Sequence, residues 1–248
     1  MELAFLAAVS SCGGPYTGSK AALPEQKLAI AADLFDRGKY ADAAVEYKSF
    51  LASFAGDERS DYAQFRLAES YRLDEEYALA AVEYRILIND YGYSEYVDDA
   101  FFLEALCAFR QAPRAERDQS KSYEALDRVN RFLQLFPSSQ RIEEAKSLKL
   151  EIHDRLGKKD FLGGKLYFSK ELYDAALIYL DKVITNYPST VWAARSHYYK
   201  GLILDKRGDQ EGAAGEFRAS LSSGSDFREK EDAARRMREL AGGESGEG

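Results

Sequence analysis

The stretch Glu171-Leu172-Tyr173-Asp174-Ala175-Ala176, continued by Leu180, Val183 and Tyr187-Pro188, decides the fold. After a turn comes an aromatic, then a small residue three positions on, then a bulky residue four beyond that. Such spacing puts all three on one face of a helix. The same frame recurs in Gly38-Lys39-Tyr40-Ala41-Asp42-Ala43 with Tyr47, and in Glu75-Glu76-Tyr77-Ala78-Leu79-Ala80 with Tyr84. It returns in Gly208-Asp209-Gln210-Glu211-Gly212-Ala213 with Phe217, and in a less obvious copy at Ser122, Ala125, Val129, Phe132 and Phe136-Pro137. The alanine is small because two helices of a hairpin cross closely there, and the aromatic fills the space beside it. Ala31, Ala68, Ala105 and Gly201 hold the matching place in the opening helices. Proline or glycine with small polar residues ends each closing helix, as in Phe136-Pro137-Ser138-Ser139 and Tyr91-Gly92-Tyr93-Ser94. Tyr40, Tyr47, Tyr77, Tyr84 and Tyr173 are therefore expected in the core.

Repetition of this kind is the tetratricopeptide pattern. One hairpin cannot bury its apolar face alone, so the stacked array is the folding unit. The fold class is all-α, an α-solenoid of about five tetratricopeptide-like helical hairpins with a long central linking helix. A regular repeat advances by about 34 residues, yet the steps from Tyr77 to Ser122 and from Ser122 to Tyr173 are much longer. The first excess falls at the polar insertion Gln111-Ala112-Pro113-Arg114-Ala115-Glu116-Arg117-Asp118-Gln119-Ser120. The second lengthens the proline-free run from Arg141 to Lys170, which reads as one long helix with possible kink sites at Gly157 and Gly163-Gly164. The chain divides into a signal segment (1–11), a tether (12–23) and an N-terminal three-repeat group (24–140). The linking helix (141–170), a C-terminal two-repeat group with a capping helix at Asp226–Leu240 (171–241) and a flexible tail (242–248) follow.

Composition agrees with a folded helical chain: 248 residues, hydrophobic residues at 46%, charged residues at 31% and five prolines. A net charge of -8 offers nucleic acid no general attraction, and no basic stripe interleaved with stacking aromatics offsets it. The two cysteines are far apart and form neither a disulfide framework nor a metal cluster. Cys107 sits in an apolar helical run and reads as a small hydrophobe. His153 and His197 have no cysteine nucleophile nearby, and no phosphate loop, paired-histidine metal motif or nucleophile elbow is present. Neither an enzyme nor a cofactor is indicated.

The opening segment is short, apolar and ends Val9-Ser10-Ser11-Cys12, which resembles a bacterial lipoprotein signal. An aliphatic and two small residues precede the cysteine because the peptidase groove admits only small side chains there. Cys12 is then the lipidated residue. Glu2 is the only charge in this segment, a departure from the basic start of a signal peptide. The Gly13–Lys20 stretch has the composition of a flexible tether. Gly13 stands where an aspartate retains lipoproteins at the inner membrane, so the outer membrane is the expected location.

The lipobox cysteine, the five repeats, the Arg117-Asp118-Gln119-Ser120 insertion and Leu156-Gly157-Lys158-Lys159-Asp160-Phe161 within the long helix together resemble the outer-membrane assembly lipoprotein family called BamD, YfiO or ComL. The resemblance implies a subunit of the machine that folds β-barrels into the outer membrane. It implies C-terminal docking on a BamA-type barrel subunit beside other assembly-complex lipoproteins, and N-terminal repeats that receive unfolded outer-membrane proteins. Another periplasmic repeat adaptor, in pilus assembly or cell division, and a helical accessory domain of a cell-wall enzyme are the alternatives. Counting back from the frame residues places Phe35, Tyr62, Phe65, Arg72, Phe102 and Phe109 on an exposed groove suited to an extended, aromatic-ended peptide. Arg155, Lys158, Lys159 and Lys165 form a basic cluster on the long helix that would meet an acidic partner.

Overall fold

The computed structural model describes residues 23–222 and 224–243. Cys12, the signal segment and the tether up to residue 22 lie outside them, as do residues 244–248 of the expected tail. Among the described residues the order is α1 (Pro24–Asp36), α2 (Tyr40–Ser53), α3 (Ser60–Leu73), α4 (Tyr77–Asp90), α5 (Val97–Arg110) and α6 (Ser120–Leu135). Next are α7 (Ile142–Ser169), α8 (Tyr173–Asn186), α9 (Val191–Lys206), α10 (Gln210–Ser222) and α11 (Lys230–Gly243). Each helix packs on its chain neighbours, and α7 also reaches α5 and α9, which is a solenoid of five hairpins with an eleventh helix at its end.

The frame alanines Ala43, Ala80, Ala125, Ala176 and Ala213 are wholly buried, as are the bulky residues Tyr47, Tyr84, Val129, Leu180 and Phe217. Ala31, Ala68, Ala105 and Gly201 are buried opposite them. At Gly201 the approach is so close that a Cβ would stand 2.8 Å from the Phe217 ring. Tyr47 and Tyr84 are core as expected, but Tyr40, Tyr77 and Tyr173 are only half-buried. They stand at helix starts, where Tyr40 and Tyr173 brace Phe35 and Phe168 across the turn, at ring separations of 5.3 Å and 5.9 Å.

The turns repeat as faithfully as the helices. Within four hairpins the chain reverses through one left-handed residue: Gly38, Glu75, Glu171 and Gly208, with φ of 72°, 63°, 59° and 82°. The amide after each donates five residues back, as Lys39 does to the Leu34 carbonyl and Leu172 to that of Tyr167, which closes the helix end. Between hairpins, Asp57, Ser94, Ser139 and Thr190 occupy one position, three residues after Phe54, Tyr91, Phe136 and Tyr187. Their side-chain oxygens accept the amides of Arg59, Tyr96, Arg141 and Ala193, so that the next helix starts at a set angle. Ser94 and Ser139 also donate to Asp61 and Asp98 of the preceding repeat, both at 2.7 Å, and so join neighbouring turns.

α7 is a continuous helix of 28 residues through all three glycines. They serve close packing: a Cβ at Gly164 would lie 2.9 Å from Leu180, one at Gly163 3.0 Å from Tyr179, and one at Gly157 3.3 Å from Thr190. A single buried cluster runs from Ala68 to Ala233 through Ile152, Leu156 and Phe161, so α7 carries core for the repeats on both sides of it. A smaller cluster fills α1 to α3, and Tyr71 packs against both. The capping helix begins at Lys230 rather than near Asp226, because Phe227 first turns into the core. It extends through Gly243, so the expected tail boundary at 242 falls inside a helix.

Candidate binding surfaces

The expected groove splits into two kinds of residue. Phe35, in the last turn of α1, and Tyr62 and Phe65, in the first turns of α3, are half-buried and lie together. Tyr62 sits 6.5 Å from the Tyr47 ring and 6.2 Å from Tyr96, while Phe65 stacks on Tyr96 at 4.8 Å. The Arg66 guanidinium lies 3.6 Å over the Phe35 ring and 5.9 Å from that of Tyr62. Its ion pair with Asp36 is loose, at 3.6 Å. Arg66 and Tyr96 were not among the expected groove residues. The signals were present: Arg66 follows Tyr62 by one helical turn, and Tyr96 lies one repeat beyond it.

Phe102 and Phe109 correct the expectation, being only 3% and 2% exposed. α6 closes over Phe102, with Phe132 at 5.8 Å, and the Arg141 guanidinium of the α6–α7 turn covers it at 5.8 Å. Phe109 lies beneath the Arg155 guanidinium at 4.0 Å. Both rings are core, not open groove. Arg72 is not a free cation either, because it grips Glu69 with two hydrogen bonds of 2.7 Å and 2.8 Å. Burial by itself raises the Glu69 pKa, but the bonds from Arg72 and the Tyr84 hydroxyl outweigh it and hold the carboxyl ionised below its ordinary range.

The basic residues of α7 likewise do not form one patch. Arg155 donates to the Ala112 carbonyl at 3.0 Å, and Lys158 pairs with Glu116 at 3.1 Å, so both grip the α5–α6 insertion. Lys159 lies over the Tyr123 ring of α6 and Lys165 over the Tyr199 ring of α9, at 5.8 Å and 5.9 Å. A 28-residue helix touches several neighbours, and each takes the cations that face it. Among the described residues no helix is long and apolar enough to cross a membrane.

Known proteins resemble this chain along most of its length. It is 26% identical over 166 residues to the outer membrane protein assembly factor BamD of Rickettsia prowazekii, covering 66% of each chain. To the protein of the same name from Caulobacter vibrioides it is 24% identical over 189 residues, covering 74% of this chain and 62% of that one. The chain thus spans just under two thirds of these relatives' length. Among solved structures, the tetratricopeptide domain of P58(IPK) aligns with 88% of this chain and 54% of its own, at 19% identity and a TM-score of 0.42. The model of the YfiO family, described as outer membrane lipoprotein, matches residues 22–214, which takes in every hairpin from α1 into α10. With five hairpins, an inserted third turn and a long α7 matched as one unit, the chain belongs to the YfiO family of outer membrane lipoproteins.

Proposed function

We propose that this chain is a lipid-anchored scaffold subunit on the periplasmic face of the outer membrane, working in β-barrel assembly. Its N-terminal three-repeat group, residues 24–140, receives an extended segment of an unfolded barrel protein. Its C-terminal group, residues 171–241, docks on a BamA-type subunit, and Cys12 carries the anchor. The observation that carries this reading is the patch of Phe35, Tyr62, Phe65 and Tyr96 crossed by Arg66. Half-buried rings offer apolar surface without collapsing into the core, and a guanidinium whose ion pair with Asp36 is loose can donate to an incoming carboxylate. Family membership and the names of the relatives support the setting.

A photo-crosslinker placed at Phe65 tests the reading with a peptide matching the C-terminal strand of a barrel protein. Crosslinking is expected at Phe65 and absent at Leu172, which is exposed on the far side of α7 in sequence. Purification from solubilised membranes should bring down a BamA-type subunit. Recovery of pilus proteins without such a subunit would overturn the assignment.

A further inference from the structure

The buried core is continuous from Ala68 of α3 to Ala233 of α11, and it crosses every later joint between hairpins. At the first joint it stops. The core of α1, α2 and one face of α3, with Leu28, Tyr47, Phe50 and Leu67 as its large members, shares no buried residue with the main cluster. Among the described residues, half-buried Tyr71 alone packs against both.

The polar ties thin out at the same place. At the next two joints, Ser94 and Ser139 donate to Asp61 and Asp98 of the preceding opening helix, each at 2.7 Å. Neither half of that bond exists at the first joint. Asp57 holds the serine's position, and bonds from Arg59 lower its pKa to about 2, which leaves an ionised carboxylate with no proton to donate. Pro24 holds the acceptor's position, seven residues before Ala31 as Asp61 is before Ala68. Arg59 and Arg66 do reach back to α1, to Glu25 at 3.3 Å and Asp36 at 3.6 Å, but those two carboxylate side chains are 66% and 74% exposed. Exposed pairs of this kind add little.

The aromatic patch lies across this joint. Phe35 belongs to α1, whereas Tyr62, Phe65 and Arg66 belong to α3 and Tyr96 directly precedes α5. The two sides meet where the Arg66 guanidinium lies 3.6 Å over the Phe35 ring and where Tyr47 faces Tyr62 at 6.5 Å.

We propose that α1 and α2 open from α3 as a unit, and that a peptide seated across the patch holds them shut. In a repeat array each unit is held by its own folding and by the interface with its neighbour, so the joint with the least shared core opens first. A ligand that touches Phe35 and Phe65 at once binds the shut form alone and shifts the population toward it. The second half of the proposal rests on the peptide-binding reading above; the first half does not.

Native-state hydrogen exchange of the full chain over a urea series tests the first half. Protection factors of α1 and α2 amides should lie at least about tenfold below those of α6, with a urea slope less than about half as steep, because opening exposes only part of the surface. Equal protection and equal slope in α1, α2 and α6 would overturn the proposal. Adding the barrel-strand peptide at about 100 times its Kd tests the second half. Protection of α1 and α2 should rise by about 100-fold, or until it meets that of α6. Crosslinking of the peptide at Phe65 with no rise in α1 and α2 would overturn the clasp. Separate opening of α1 and α2 with no peptide binding at all would support the opening unit and sink the substrate reading instead.

Discussion

Four residues carry the left-handed turns of the hairpins, and two of them are glutamates. Gly38 and Gly208 adopt a positive φ at no steric cost, whereas Glu75 and Glu171 place a Cβ against the following carbonyl. That conformation costs a non-glycine residue about 1–2 kcal/mol, partly offset by the greater backbone freedom of glycine when unfolded. Glu75→Gly should therefore raise stability by about 0.5–1 kcal/mol, seen as a higher urea midpoint with unchanged slope. A lower midpoint would show that the Glu75 side chain earns its place. The turns were legible in sequence because they precede the frame aromatic at a constant distance. Their handedness at Glu75 and Glu171 was not, since nothing in a glutamate announces it.

At the scale of helices, the glycines divide by what faces them. Gly201 in α9 meets the Phe217 ring of α10, and an added methyl would sit 2.8 Å from it. Gly201→Ala should destabilise by about 1–3 kcal/mol through overpacking. Gly215 in α10 faces nothing within 4 Å, so Gly215→Ala should stabilise by about 1 kcal/mol through helix propensity alone. Thermal unfolding of the two variants checks both signs, and a shift in the same direction for both would refute the packing argument. The aromatics divide in the same manner. Phe65 and Phe102 sit at comparable places on α3 and α5, yet one is half-buried and the other core. Phe132 of α6 and Arg141 at the start of α7 close over Phe102, whereas Phe65 is covered by Tyr96 and Tyr84 and keeps part of its surface.

Across the whole molecule, the end of the solenoid is held by charge as much as by apolar contact. α11 and the turn before it are fastened to α9 by Arg195–Glu229 bonds of 2.6 Å and 2.9 Å and by the Tyr198 hydroxyl donating to Asp232 at 2.6 Å. Burial raises the Asp232 pKa, but bonds from Tyr198, Arg236 and Arg235 outweigh it and bring it down to about 2. An unfolded aspartate titrates near 3.9. The depressed value means that the contribution is fully present above about pH 4 and is lost as pH falls through about 2. Glu229 is shifted in the same direction, since its bonds to Arg195 overcome burial. Protection factors of the α11 amides, taken against the intrinsic exchange rate at each pH, should therefore fall on acidification before those of α4 or α6. Simultaneous loss of protection in all three would show that the cap has no independent release.

The linear order of residues determined the hairpins, their close-crossing alanines, the helix ends and the length of α7. Each rests on periodicity and local backbone chemistry, which act within a few turns of chain. Which aromatics stay open and which cations are already spent were decided only in the folded molecule. Those properties depend on contacts between distant positions, such as Arg155 with Ala112 and Arg141 with Asp99, and helical spacing specifies the face a side chain takes without naming what covers it.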